Sequence, residues 1–487
     1  MLMDFLATTT PDALYGARLL NVDQVLEQPI WVFYASFLVA FAFTPVMRAV
    51  ANYYGIIDHP DRVRKMHRVP VAYLGGLAVF LGWLAGLAVS QFRRMPLVEP
   101  GIVPHVTIKF SIIAGACAIV VVGLWDDVVG LRPRAKIAGQ VLAAAFLISE
   151  EIGTSCTGLF FNTLNRWLLM NQQPGMWLDR LTNGHALHIP DAVTYVTSSI
   201  VVVFVVVTCC NATNLMDGLD GLCGGVTAVI AGGFLFLAVH LATSSGAFDP
   251  NLDTTRVVIA IALLGAVLGF IPYNFNPASI FMGDTGSMFL GFCCATMILL
   301  MSQGQHWRWF LASLVMFALP VLDTALAFAR RWVNGRSIFS ADRLHFHHQL
   351  VARGFSVKKT VLISYGLALF FAVAGGAIAI TRTRYAIAGY LLVFGYIIVA
   401  AYKMGMVHER PRVVTRHDLT DELEGGGNGD GNGDAGNGDD NAPSMAAAGE
   451  IDAGNVIELR EPTDSASPAV AEGTVQSGAG AKIRAFH

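Results

Sequence analysis

Four short polar stretches in an otherwise apolar chain carry residue types suited to phosphate and metal chemistry. The first is Trp125-Asp126-Asp127, followed by Leu131, Pro133, Arg134 and Lys136. Adjacent carboxylates repel unless a cation holds them, and Mg²⁺, a hard ion that takes oxygen ligands, suits them. An ordinary acidic loop accounts for the pair equally well. The second stretch runs Asn211-Ala-Thr-Asn214-Leu-Met-Asp217-Gly-Leu-Asp220-Gly221. Asn211, Asn214 and Asp217 recur at helical spacing and so share a face. Amides and carboxylates there fit a nucleotide's edges and a metal's waters, while a glycine after each aspartate permits a tight turn. The bland account is helix packing through Asn and Gly.

The third stretch contains Phe281-Met282-Gly283-Asp284-Thr285-Gly286-Ser287 and opens an apolar run. A helix N-terminus offers free N–H groups and a positive dipole end to a phosphate, and Asp284 could ligate a metal beside it. N-capping explains Asp or Ser at such a place but leaves the whole run unexplained. The fourth, Asp342-Arg343-Leu-His345-Phe-His347-His348, could grip phosphate oxygens or a uracil–ribose group. Zinc is the weaker reading, since no cysteine accompanies the histidines, and a solvated loop is the plain one. A fifth cluster, from Asp58 through Arg64, Lys65 and His67, reads first as an ordinary basic loop able to steer phosphates. Asp323 stands inside an apolar run, which makes it a candidate by position.

The elements that position these groups are membrane helices. Of 487 residues 54% are apolar and 14% charged, against roughly 25% charged in a soluble chain. Net charge is −3, which excludes a nucleic-acid partner. The seven cysteines lie mostly in apolar runs and show no spacing for disulfides or zinc. The first 29 residues contain Asp4, Asp12, Asp23 and Glu27 and no basic n-region, so no cleavable signal peptide is expected.

Apolar runs near 30–50, 71–91, 108–125, 136–150, 196–210, 223–243, 255–273, 287–302, 308–330, 360–380 and 385–402 predict an all-α polytopic membrane protein of about eleven transmembrane helices. Lys/Arg bias favours the N-terminus outside and the C-terminus in the cytoplasm, with Arg382 and Arg384 as exceptions. Under that parity every polar cluster follows an odd-numbered span, and all share the cytoplasmic face. The expected organisation is an extracytoplasmic segment 1–29, a transmembrane catalytic domain 30–402 with an outside insertion at about 151–195, and a tail 403–487. The Gly/Asn/Asp-rich composition predicts disorder from about 417.

Taken in order over residues 30–400, Asp126-Asp127, Asn211–Gly221, Phe281–Ser287 and His345–His348 resemble the motifs of the polyprenyl-phosphate N-acetylhexosamine-1-phosphate transferase family. The Arg64-Lys65-Met-His67 stretch and the His-x-His-His loop look closer to the branch using UDP-N-acetylglucosamine. Ala72 stands where that branch commonly has a proline, with Tyr73 after it. The resemblance implies transfer of N-acetylhexosamine-1-phosphate from a UDP-sugar to undecaprenyl phosphate, releasing UMP, at the bacterial cytoplasmic membrane. It implies Mg²⁺, with Mn²⁺ as a substitute, held by Asp284, Asp217 and Asp127. Asp126, Asp127 and Asp284 are the expected catalytic residues. Lys136, Asn211, Asn214, Asp217, Asp220, Arg343, His345, His347 and His348 are the expected substrate contacts. A homodimer is compatible with this reading. The rivals are a UDP-N-acetylmuramoyl-pentapeptide phosphotransferase and, outside enzymes, a lipid or sugar transporter. Transporters of that kind often show internal repeats and midplane sites, neither of which the sequence displays.

Overall fold

In the computed structural model the described residues are 21–58, 70–92, 108–171, 188–244, 250–303, 307–333, 335, 345–381, 385, 388–391, 395, 413–414 and 457–458. The helices are α1 (Val22–Glu27), α2 (Ile30–Tyr54), α3 (Gly75–Phe92), α4 (Phe110–Val129), α5 (Pro133–Ser149), α6 (Gly158–Asn171), α7 (Asp191–Met216), α8 (Leu222–Ser244), α9 (Pro250–Asn274), α10 (Gly283–Ser302), α11 (Trp307–Met316), α12 (Ala318–Val333), α13 (Phe346–Ala352) and α14 (Val357–Ile380). Two compact units divide the chain: 1–327 with 342–399, and 328–341 with 400–487. In the second unit β3 (Val413–Val414) pairs antiparallel with β4 (Ile457–Glu458). That pairing puts one strand, β4, inside the stretch from about 417 read as disordered, most of which lies outside the described residues.

Eight of the described helices are long and apolar enough to cross a membrane, or nine if α11 and α12, bent by 70° at their junction, form one span. Every expected run from 30–50 to 360–380 coincides with a helix. The run 385–402 falls mostly outside the described residues, and α5 has only 17 residues. The expected all-α membrane architecture therefore stands, while the described residues carry fewer full-length spans than eleven.

The first unit is layered by burial. The apolar stretch of α10 is entirely enclosed, and α9 nearly so, whereas only 22% of the corresponding window of α2 is buried. Helix α10 is the axis of the bundle, packed by α3, α4, α7, α8, α9 and α11. Small residues allow these approaches: a Cβ on Gly76 of α3 would lie 2.2 Å from the Gly286 nitrogen of α10. Without a strong hydrophobic drive between helices in lipid, such close contacts supply the association energy. On the outer helix α2, Trp31 and Tyr34 are exposed near one end and Tyr53 and Tyr54 at the other. Their separation, about 30 Å at helical rise, matches an aromatic belt at each interface.

Two features lie outside the helical reading. Residues 57–58 (β1) and 71–72 (β2) form an antiparallel ladder, which continues as Phe281 N–H donating to Ala72 O (2.8 Å) and Gly75 N–H to Phe281 O (3.0 Å). The ladder ties the loop after α2 to the start of α10. In the insertion, the Asn165 side chain of α6 bonds both backbone groups of Ile189, just before α7.

Candidate active site

Four motif carboxylates, Asp126, Asp127, Asp217 and Asp284, gather with Lys136 at one end of the bundle, around the first turn of α10. No side chain of α10's own N-cap residue, Met282, caps that helix. The cap comes instead from α4: Asp127 Oδ1 accepts the Asp284 N–H at 2.7 Å. Its Oδ2 accepts the Thr285 N–H at 3.0 Å and the Thr285 hydroxyl at 2.6 Å. A carboxylate on the free N–H groups of a helix start satisfies donors that nothing else there can reach. Gly283 makes the approach feasible. Its φ is +71°, and a Cβ would sit 2.6 Å from Asp127 Oδ2. The expected metal-ligand role of Asp127 thus meets a carboxylate already engaged by three donors.

Beyond the cap, Lys136 of α5 joins the other two carboxylates. Its ammonium pairs with Asp126 Oδ2 and with Asp284 Oδ2 at 2.5 Å. Asp126 Oδ1 accepts the Leu131 N–H at 2.6 Å. Asn214 donates to Asp284 Oδ1 (2.8 Å) and to Ser287 Oγ (3.0 Å). The Asp284 side chain remains 29% exposed, so the cluster opens to incoming ligand. Asn211, one turn back on α7, donates to Gln140 Oε1 (2.8 Å) and to Val207 O (2.7 Å). It braces α7 against α5. Gln140, fully buried and one turn after Lys136, is a site-building residue that sequence reasoning missed; its i+4 spacing from Lys136 was the available signal.

Helix α7 ends at Met216, so Asp217 lies just past the helix and begins a turn. Asp220 on that turn is fastened by the Asn276 side chain (2.9 Å) and the Ala278 N–H (3.0 Å). Asp217 accepts no hydrogen bond from any described residue. Burial first, then the negative charges of Asp284, Asp127 and Asp220, push its carboxyl up to about 8. It is half-buried by accessible surface, and its crowding by other carboxylates accounts for a shift larger than that exposure suggests. Tyr73, on the ladder beside α10, is held in the same field. Burial and its bond to Asp58, with Asp127 and Asp284 behind, raise its phenol well above the ordinary value.

The histidines sit on the far side of the 217–221 turn. His345 Nδ1 lies 3.0 Å from Asp323 Oδ2, and Asp323 Oδ1 accepts the Phe346 N–H at 2.8 Å. His345 and His347 are 4% and 2% exposed, which is incompatible with a solvated loop; His348 is half-buried. Arg343, with residues 59–69 that include Arg64, Lys65 and His67, lies outside the described residues.

Among the described residues no three His, Cys, Asp or Glu side chains stand close enough to hold a metal ion as a cage. Mg²⁺ seldom uses one; it takes one or two carboxylates and completes its shell with substrate phosphate and water. A carboxylate to which no described residue donates, as at Asp217, standing in the field of the Asp284 charge, is a donor suited to such an ion.

Comparison with known proteins fits this arrangement. The family model described as Glycosyl transferase family 4 matches residues 109–302, which include all the acidic motifs around α10. The chain is 34% identical over 344 residues to a decaprenyl-phosphate N-acetylglucosaminephosphotransferase of Mycobacterium tuberculosis (strain ATCC 25618 / H37Rv), covering 68% of this chain and 77% of that protein. It is 29% identical over 354 residues to a probable undecaprenyl-phosphate N-acetylglucosaminyl 1-phosphate transferase of Bacillus subtilis (strain 168), covering 72% and 86%. A phospho-N-acetylmuramoyl-pentapeptide-transferase of Geobacillus kaustophilus is 31% identical over 271 residues, covering 52% and 69%.

Proposed function

The chain belongs to glycosyl transferase family 4, and on that premise we propose that it moves N-acetylglucosamine-1-phosphate from UDP-N-acetylglucosamine to a polyprenyl phosphate, releasing UMP. The observation that carries this reading is the ammonium of Lys136 between Asp126 and Asp284, at the mouth of a cluster with Asn214 and Asp217. The relatives named for N-acetylglucosamine transfer match more of this chain than the muramoyl-pentapeptide enzyme does, which favours the smaller sugar.

The chemistry follows from these positions. An oxygen of the acceptor phosphate attacks the sugar-side phosphorus of the UDP-sugar; the bond to the bridging oxygen breaks, and UMP leaves with that electron pair. Positioning and charge neutralisation supply most of the catalysis in such a transfer. A phosphate monoester, with its second pKa near 6, is already largely dianionic at neutral pH, so no strong base is required. Asp126 therefore holds Lys136 in place for the acceptor phosphate. Asp217 and Asp284 would hold Mg²⁺, with Mn²⁺ as a substitute, and the ion would neutralise the donor's phosphates. Asp127 keeps the first turn of α10 and its Asp284 in register. Asp220 fixes the turn, and Arg343 with His348 is assigned to the donor nucleotide.

A place for the acceptor's tail adjoins this site. A groove of about 610 Å³ runs between α5 and α7, lined by Ile137, Val141, Ile200, Val203, Phe204 and Val207. Ile137, one residue from Lys136, and Val207, whose carbonyl Asn211 holds, line its site end, and Ile148 and Tyr195 its far end. Its apolar walls fit an isoprenoid chain whose phosphate would meet the Lys136 ammonium. The site end of the bundle is assigned to the cytoplasmic face, where UDP-sugars occur. Membranes containing the chain, given polyprenyl phosphate, Mg²⁺ and separately labelled UDP-sugars, should yield a butanol-extractable product from UDP-N-acetylglucosamine. Product only from UDP-N-acetylmuramoyl-pentapeptide would transfer the assignment to the other branch.

A further inference from the structure

The 217–221 turn, which carries Asp217, is gripped from several directions. The Gly221 N–H donates to Asn274 Oδ1 (3.1 Å), and the Tyr365 hydroxyl of α14 donates to Gly221 O (2.6 Å). Asp220 is fastened to the loop after α9. At Gly218 the grip is of another kind. A Cβ built there would stand 2.5 Å from His347 Nε2 and 3.3–3.4 Å from the flanking ring carbons. The edge of the imidazole rests directly on the glycine.

Among the described residues that edge has no polar partner. His347 Nε2 is buried and makes no hydrogen bond to any described residue. Burial, then the neighbouring His348, lowers the ring's pKa to about 3, so the imidazole is neutral throughout the physiological range. A buried, neutral ring packed against backbone is poorly placed to grip a phosphate. It is well placed to transmit position. His345 and His347 stack with ring centroids 5.7 Å apart and planes 6° from parallel, and His345 is bonded to Asp323 of α12. The line of contact runs from Asp323 through His345 and His347 to Gly218, the residue after Asp217.

We infer that His347 is a positioning residue that, braced through His345 by Asp323, bears on Gly218 and so sets the direction of the Asp217 carboxylate in the phosphate site. The inference rests on the proposed function for the role of Asp217, but the contact itself does not. It also divides the histidine motif: His345 and His347 build the turn, leaving His348 to face ligand.

The test is a double-mutant cycle on purified enzyme, read as kcat and as KM for UDP-N-acetylglucosamine. Gly218→Ala pushes a methyl group into the imidazole and should lower kcat about 10–100-fold, the scale of a misplaced catalytic group, with donor KM little changed. In a His347→Ala background the same methyl meets space, so adding Gly218→Ala should cost less than about threefold, a strong coupling. Should Gly218→Ala not fold, thermal denaturation of the double variant reads the same relief. His347→Leu then carries the decision: an apolar side chain of similar volume should retain activity within about threefold of the parent. Multiplicative losses in the cycle, a raised donor KM in His347→Ala, or a His347→Leu variant as inactive as His347→Ala would each overturn the inference and return His347 to direct substrate contact. If the parent enzyme makes no lipid-linked product at all, the proposed function fails first, and that outcome is distinct from loss of coupling.

Discussion

Replacing Asp127 by alanine separates a structural acid from a chemical one. Its carboxylate accepts two backbone N–H groups and one hydroxyl at 2.6–3.0 Å, and the Thr285 that supplies two of these donors is fully buried. A hydrogen bond to a charged group contributes about 1.5–3 kcal/mol, and an N-cap about 0.5–2 kcal/mol. Water reaches the Asp284 side through the site's opening, so the three bonds together are worth about 2–4 kcal/mol, below their simple sum. Asp127→Ala should therefore lower the thermal midpoint of the purified protein by several degrees. Turnover should fall about 100-fold, because Asp284 rides on the uncapped turn. Asp127→Asn keeps one acceptor oxygen and turns an amide N–H₂ toward a donor, so it should recover only part of both losses. Thr285→Val, which removes the hydroxyl and leaves both N–H bonds, should cost about 1 kcal/mol and little activity. Denaturation in detergent and lipid-product formation are measured on the same preparations. An Asp127→Ala protein with unchanged stability and no activity would refute the capping argument and place Asp127 in the reaction itself.

Other consequences can be checked in the same assay. Gly283→Ala forces a Cβ onto the Asp127 carboxylate at a left-handed backbone position and should reproduce the Asp127→Ala phenotype. Lys136→Met leaves Asp126 and Asp284 facing each other without their cation, and should raise the acceptor KM while cutting turnover at least about 100-fold. Because the Asp217 carboxyl is pushed up to about 8, cation binding must displace its proton. Apparent Mg²⁺ affinity should therefore rise with pH and level off above about 8, a slope that Asp217→Asn abolishes. The same raised carboxyl means that the folded state holds an extra proton between the unfolded value near 4 and about 8. Its contribution to stability is therefore complete below pH 4 and is lost as pH rises through that window. Val203→Trp, which fills the α5–α7 groove, should raise KM for a long polyprenyl phosphate and leave a short-chain analogue unaffected.

Much of this was legible in the residues. Hydrophobic run length gave the helices because lipid leaves a backbone few alternatives. Parity then predicted that motifs far apart in sequence would meet at one end, and Asp127 with Asp284, 157 residues apart, do so. Three things were not legible. Type and spacing mark Asp127 as an acid but cannot say that its lone pairs are consumed by α10, since that depends on the Gly283 backbone and on how α4 packs. The histidine loop looks solvent-facing by composition, yet tertiary contact buries His345 and His347. The ladder joining residues 71–75 to 281 has no periodicity for a pattern argument to find. The length of α5, 17 residues, likewise shows that an apolar run fixes a helix more securely than it fixes a crossing.

The most direct measurement follows the phosphorus. UDP-N-acetylglucosamine carrying ³²P in its sugar-side phosphate and ³H in the sugar is incubated with purified enzyme, Mg²⁺ and polyprenyl phosphate. The account predicts both labels in the lipid in equal molar amounts, with one UMP released per transfer, and loss of both in Lys136→Met. Sugar label in the lipid without ³²P, accompanied by UDP, would mean that the carbon–oxygen bond breaks in place of the phosphorus–oxygen bond, and the account would be wrong.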